Sequence, residues 1–120
     1  MVEEAYISFE TAKTIQKKGF VGNASNYAWL YDKNGVFTHR NSIELEGTFP
    51  APTQQLVMRW LREVHHWFIQ IVYIRNTQRY EFLIYRMDEH IPYQPSYEVI
   101  AQKTYEDACE MAINIVLKKI

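Results

Sequence analysis

Residues 52–74 read PTQQLVMRWLREVHHWFIQIVYI, and within this stretch the apolar residues change period from helical to extended. Leu56, Val57, Trp60, Leu61 and Val64 recur every third or fourth residue, which predicts an amphipathic helix over Pro52 to His66. Pro52 suits the first helical position, and Thr53 is the alternative start as a cap. Arg59, Arg62, Glu63 and His66 fall on the opposite face, with Arg59 and Glu63 spaced as a surface ion pair. Trp67 to Ile74 is then β-rich with apolar residues on both faces, the composition of a central strand. A polar turn at Asn76-Thr77-Gln78 leads into a partner strand over Tyr80 to Tyr85.

Outward from this centre the signals are local. Ser8 is placed to cap a first helix whose apolar face is Phe9, Ala12 and Ile15. Gly19 and Phe20 fit the left-handed stop of a Schellman motif, with Phe20 returning to Ile15. Tyr27, Trp29 and Tyr31 alternate with Ala28 and Leu30, and Lys33-Asn34-Gly35 turns the chain into Val36 to Arg40, a predicted hairpin. Beyond Pro92 and Pro95, Tyr97, Val99 and Ala101 predict a last strand. Thr104 with Asp107 opens a final helix whose stripe is Tyr105, Ala108, Cys109, Ala112, Ile113, Val116, Leu117 and Ile120, closing on Lys118 and Lys119. The expected fold is α+β: a mainly antiparallel sheet with about three helices packed on it, in the order helix, hairpin, helix, strands, helix. A chain of 120 residues is expected to form it as one domain, residues 1–120.

Composition limits what such a domain does. Thirteen Lys and Arg against fourteen Asp and Glu give a net charge of -1, without the basic excess that drives non-specific phosphate binding. The single cysteine, Cys109, has no intramolecular disulfide partner, and the start of the chain lacks the charged-then-apolar pattern of a leader, so a soluble cytoplasmic protein is expected. The longest apolar run, Trp67 to Ile74, is broken by Gln70 and too short for a membrane-spanning helix.

Chemical signatures are sparse. His65 and His66 are adjacent, and neighbours on a helix point about 100° apart, so they do not converge on one metal ion unless the helix has already ended. His39 and His90 have no ligand spacing to any partner, and neither metal nor cofactor is expected. Cys109 sits in the apolar stripe of the last helix, where a small core residue is the ordinary reading rather than a nucleophile. Glu3, Glu4, Glu106, Asp107 and Glu110 lie near helix starts, where the helix dipole accounts for them. Asp88, Glu89 and His90 form a polar trio read as a loop. No nucleotide-binding or hydrolase motif is present, no catalytic residue is assigned, and an enzyme is the third reading.

Two surfaces stand out. Arg59, Arg62, His66, Arg75 and Arg79 form a candidate binding surface, and these arginines with Arg86 lie on or beside segments carrying Trp67, Tyr73, Tyr80 and Tyr85, residue types that grip single-stranded nucleic acid by stacking and phosphate contact. Glu63, Glu81, Asp88 and Glu89 dilute its charge, so nucleic-acid binding is the alternative to action by protein contact. On the last helix, Met111 projects nearly opposite Cys109 and Ile115 lies at the flank of the stripe. The pair is a candidate homodimer patch, with an unpaired edge of the first hairpin as an extension and the Asn41 to Ala51 loop as an alternative cover.

The segments Ala51-Pro52-Thr53-Gln54-Gln55, Trp60-Leu61-Arg62-Glu63-Val64-His65 and Thr104-Tyr105-Glu106-Asp107-Ala108 resemble those of short hypothetical proteins carried by phages and prophage-like mobile elements of Bacteroidetes-type bacteria. The opening Tyr6-Ile7-Ser8-Phe9-Glu10-Thr11-Ala12-Lys13, and Lys18-Gly19-Phe20, are similar to theirs as well. The resemblance implies an accessory protein of a phage or mobile element inside a bacterial host, a setting rather than a mechanism; a host or phage protein is the partner that the separate reading of action by protein contact would require. The resemblance implies no catalytic residue.

Overall fold

In the computed structural model, which describes residues 4–20, 29–39, 48–88, 92–93 and 101–120, both ends of the first helix and the start of the last are set by short-range signals. Contacts gather the chain into two compact units, Met1–Thr53 and Gln54–Ile120. Together the described residues form an α+β fold of three helices and antiparallel sheets.

The first unit begins with α1, Phe9–Lys17. The Ser8 hydroxyl accepts from the backbone N–H of Thr11 at 3.2 Å, satisfying one of the donors a helix start leaves open. At the other end Gly19 adopts φ +94°, the Phe20 N–H reaches the Ile15 carbonyl at 3.0 Å, and the Gly19 N–H reaches Gln16 at 3.3 Å. These are the two bonds of a Schellman motif, as the sequence predicts.

Strands β1 (Trp29–Tyr31) and β2 (Phe37–His39) form the expected hairpin, antiparallel with Leu30 opposite Thr38. Asp32 fixes its turn, since its carboxylate accepts from the N–H groups of Asn34 and Val36 at 2.8 and 3.0 Å. Tyr27, Ala28 and Arg40 lie outside the described residues. A third strand, β3 (Phe49–Pro50), pairs antiparallel with β1 inside the segment expected to be loop; two residues, one of them proline, carry no readable alternation. The Phe9 ring lies 5.5 Å from Tyr31 and 5.7 Å from Phe49, while the Tyr31 hydroxyl donates to the Ile7 carbonyl at 2.6 Å. Packing of α1 on this sheet therefore runs through aromatic rings.

The second unit starts with α2, Gln54–His65. Pro52 precedes the helix by two residues and its carbonyl accepts from Ile7, so the expectation of Pro52 as the first helical residue is corrected and Thr53 holds the flanking position. Gln54, Val57 and Leu61 are buried, whereas Val64 is 56% exposed despite continuing the stripe, because the helix ends one residue later. His66 then takes φ +62°, and a single left-handed residue turns the helix directly into a strand.

That strand, β4 (Trp67–Ile74), pairs antiparallel with β5 (Arg79–Arg86) over eight consecutive positions, Trp67 opposite Arg86 through Ile74 opposite Arg79. The short β6 (Pro92–Tyr93) pairs with the far side of β5, as does Gln102, which exchanges two 2.8 Å backbone bonds with Tyr80. The sheet order is β4-β5-β6. Among the described residues β5 is paired on both sides and β4 on one, whereas the sequence expectation made β4 the central strand. An apolar run records burial of side chains, not which backbone side has a neighbour. The expected strand over 97–101 lies mostly outside the described residues.

The last helix, α3 (Tyr105–Leu117), is capped as predicted, the Thr104 hydroxyl accepting from Asp107 at 3.0 Å. Ala108, Cys109, Ala112, Ile113, Val116 and Leu117 are buried, while Tyr105 is exposed. α2 lies over β4, and α3 lies over both long strands. No helix among the described residues is long and apolar enough to cross a membrane.

Candidate functional site

The β4–β5 register assigns every side chain of the two strands to a face. Trp67, Ile69, Ile71 and Tyr73, with Arg86, Ile84, Phe82 and Tyr80 opposite them, share the helix-covered face; Trp67, Ile69, Phe82 and Ile84 are buried there. The other face carries Phe68 opposite Tyr85, Gln70 opposite Leu83, Val72 opposite Glu81 and Ile74 opposite Arg79. Five of these eight side chains are apolar or aromatic, and the unit's two helices occupy the opposite face. The Phe68 and Tyr85 rings are 6.1 Å apart, and the Tyr85 hydroxyl donates to Gln70 Oε1 at 3.1 Å. This outer face is the candidate contact surface.

The arginine and aromatic residues singled out in the sequence divide between layers. Arg59 and Arg62 are on α2, and Arg59 is held 3.2 Å from Glu63, the pair expected from its spacing. Arg75 lies in the turn between the long strands, and Arg79 is on the outer face next to Glu81's row. Trp67, Tyr73 and Tyr80 belong to the helix-covered face, where Arg86 stacks over Trp67 at 5.3 Å while pairing with Asp88 at 3.0 Å. Tyr73, Tyr80 and Tyr105 form a chain of rings at one end of that layer, with centroids 5.2 and 6.0 Å apart. Of the named aromatics only Tyr85 shares a face with an arginine of the candidate set, Arg79.

The histidines at the helix–strand junction also separate. His65 packs edge-on against Trp60, 4.7 Å between centroids, with its Nε2 buried and lacking a hydrogen-bond partner. Burial, and then the neighbouring His66, hold its pKa below the ordinary 6.5. His66 is exposed, and its carbonyl accepts from the Met87 N–H at 2.9 Å. Among the described residues no group of three His, Cys, Asp or Glu side chains converges to hold a metal ion. His90 and Glu89 lie outside those residues.

Cys109 is inaccessible to solvent, and burial pushes its thiol up to about 11, against the opposing pull of a hydrogen bond with Tyr105. A thiol so placed remains protonated at neutral pH and is no nucleophile. Burial likewise raises the Tyr105 phenol, with the Gln55 amide acting in the opposite direction.

Met111 and Ile115, the candidate dimer patch, are each half-buried, and the Met111 sulfur accepts from Gln102 Nε2 at 3.6 Å. What the sequence left unnoticed is the outer row of Phe68, Leu83, Val72 and Ile74. The alternation within each strand was legible, but only the register shows that the two sets lie side by side.

Compared with protein-family models, curated proteins and solved structures, the chain matches none.

Proposed function

We propose that this protein works by protein–protein contact, as a non-enzymatic accessory protein of a phage or mobile element in the cytoplasm of its bacterial host, and that it acts as a homodimer. The observation supporting this reading is the apolar outer face of the β4–β5 pair, in which Phe68, Val72, Ile74, Leu83 and Tyr85 accompany only two charged side chains, Glu81 and Arg79. A sheet face of that composition is suited to covering by another protein surface. The setting rests on the sequence resemblance alone. The nucleic-acid alternative gains less from the geometry, because the arginines are scattered: Arg59 and Arg62 lie on α2, Arg79 on the outer face, and Arg86 on the helix-covered face, where it is paired with Asp88.

Affinity capture from host lysate, with and without nuclease, tests the reading. The expected result is a captured protein that survives nuclease and is lost on Leu83→Arg, a substitution in the middle of the outer face. Material released by nuclease supports the nucleic-acid reading instead, and the absence of any Leu83-dependent protein overturns the proposal.

A further inference from the structure

Asn34 is the one asparagine in the sequence that glycine follows, and the structure places the pair in the loop of the β1–β2 hairpin. At such a pair a side-chain amide cyclises most readily, because glycine has no side chain to keep its backbone nitrogen from the neighbouring amide carbon. Three successive N–H groups of this loop bond to one residue, Asp32. Its carboxylate accepts from Asn34 at 2.8 Å and from Val36 at 3.0 Å, and its backbone carbonyl accepts from Gly35 at 3.0 Å. With Gly35 at φ +84° and Tyr31 paired to Phe37, this is the three-residue hairpin loop that ends in a left-handed glycine. Asn34 is exposed to water, whereas the Phe9 ring of α1 stands 3.0 Å from the position of a Cβ on Gly35. The reactive amide is open, and the backbone beside it is clamped.

We propose that Asn34 is a site of spontaneous deamidation, and that the bonds converging on Asp32 confine the reaction to the moments when the hairpin opens. The inference concerns the first unit alone and goes beyond the reading of protein contact.

The chemistry needs water as its only co-reactant. The Gly35 backbone nitrogen gives up its proton and attacks Cγ of the Asn34 side chain; a C–N bond forms, the Cγ–Nδ2 bond breaks, and the amide leaves with a proton as ammonia. Water then opens the cyclic imide. Opening at Cγ leaves aspartate, while opening at the Asn34 backbone carbonyl leaves iso-aspartate, whose main chain runs through the former side chain. In the closed hairpin the first step is opposed, because the Gly35 N–H is engaged by the Asp32 carbonyl and its neighbours on both sides are held by the Asp32 carboxylate. The nitrogen cannot swing towards Cγ without breaking these bonds. Once formed, iso-aspartate lengthens the main chain of the loop, so the three N–H groups no longer match Asp32 and Leu30 no longer meets Thr38 over the same turn. Each opening of the hairpin thus exposes the chain to an irreversible change.

The full chain is incubated at mildly alkaline pH in native buffer and in guanidinium chloride, and conversion at Asn34 is followed by peptide mapping with mass spectrometry. Circular dichroism reports which samples are folded. Conversion is expected to be about tenfold or more slower in native buffer, because a reaction through the open state is limited by the fraction of time the hairpin spends open. Asp32→Ala removes the carboxylate that holds two of the three N–H groups, and should raise the native rate by about fivefold or more without changing the rate in denaturant. Asn34→Gln should abolish the conversion at this position, since the longer side chain cyclises far more slowly. Equal rates for the wild type in the two solvents overturn the proposal, as does the absence of conversion at Asn34 in denaturant. So does a folded Asp32→Ala protein that reacts no faster than the wild type. If Asp32→Ala does not fold, the wild-type comparison between solvents decides the outcome by itself.

Discussion

The side-chain amide of Gln54, in the first turn of α2, donates to the backbone carbonyl of Glu106 at 2.9 Å and to the carboxylate of Glu110 at 3.1 Å, tying the start of one helix to the flank of the other. Gln54 is only 4% exposed, so these bonds replace water that has been excluded.

Gln54→Ala is therefore expected to destabilise the protein by about 1–3 kcal/mol, since the carboxylate and carbonyl lose a charge-assisted donor in a half-buried site. Gln54→Glu should cost more, because it removes the donor and sets a second carboxylate beside Glu110. Urea denaturation of the two variants checks the order. Equal stability of Gln54→Glu and wild type would show that the amide bridges nothing of consequence.

Stability should fall on mild acidification through His65. Its folded pKa is below 6.5, so above that pH folded and unfolded states are both neutral and the group contributes no pH dependence. As pH drops below 6.5 the unfolded chain gains a proton that the folded chain resists, and stability declines until the lowered folded value is reached. His65→Phe keeps a ring against Trp60, removes the buried Nε2 that lacks a partner, and should flatten this slope. Thermal melts of wild type and variant from neutral pH downward give the comparison.

Cys109 should resist an aromatic disulfide reagent at neutral pH in the folded protein and react on unfolding, since its thiol is shielded and its pKa is about 11. Cys109→Ala is expected to cost about 1 kcal/mol and to leave any binding intact. A folded, stable Cys109→Ala protein that no longer captures its partner would identify the thiol as functional after all.

Among the described residues, two other than glycine adopt left-handed backbone, His66 at φ +62° and Gln78 at φ +55°. That conformation costs about 1 kcal/mol or more for a residue with a Cβ. Gln78→Gly in the β4–β5 turn should raise stability by up to about 1 kcal/mol, read as a higher urea midpoint. The opposite case is Gly35, at φ +84° with the position of a Cβ only 3.0 Å from the Phe9 ring, where Gly35→Ala should be clearly destabilising.

The sequence by itself determined the local elements. Ser8, Gly19 and Thr104 fix helix ends through bonds reaching no more than five residues, and the stripes of α2 and α3 state which face is buried. The i,i+4 partnership of Arg59 and Glu63 was legible for the same reason. Only the tertiary structure decided what depends on distant neighbours. Among the described residues it paired β5 rather than β4 on both sides, added β3 beside β1, and left Val64 largely exposed at the end of α2. It also turned Trp67, Tyr73 and Tyr80 towards the helices while collecting Phe68, Val72, Ile74, Leu83 and Tyr85 on the outer face. Periodicity fixes the direction of a side chain relative to its own strand. Which strand lies alongside, and therefore which face and which edge remain open to another molecule, is set by pairings between residues far apart in the chain.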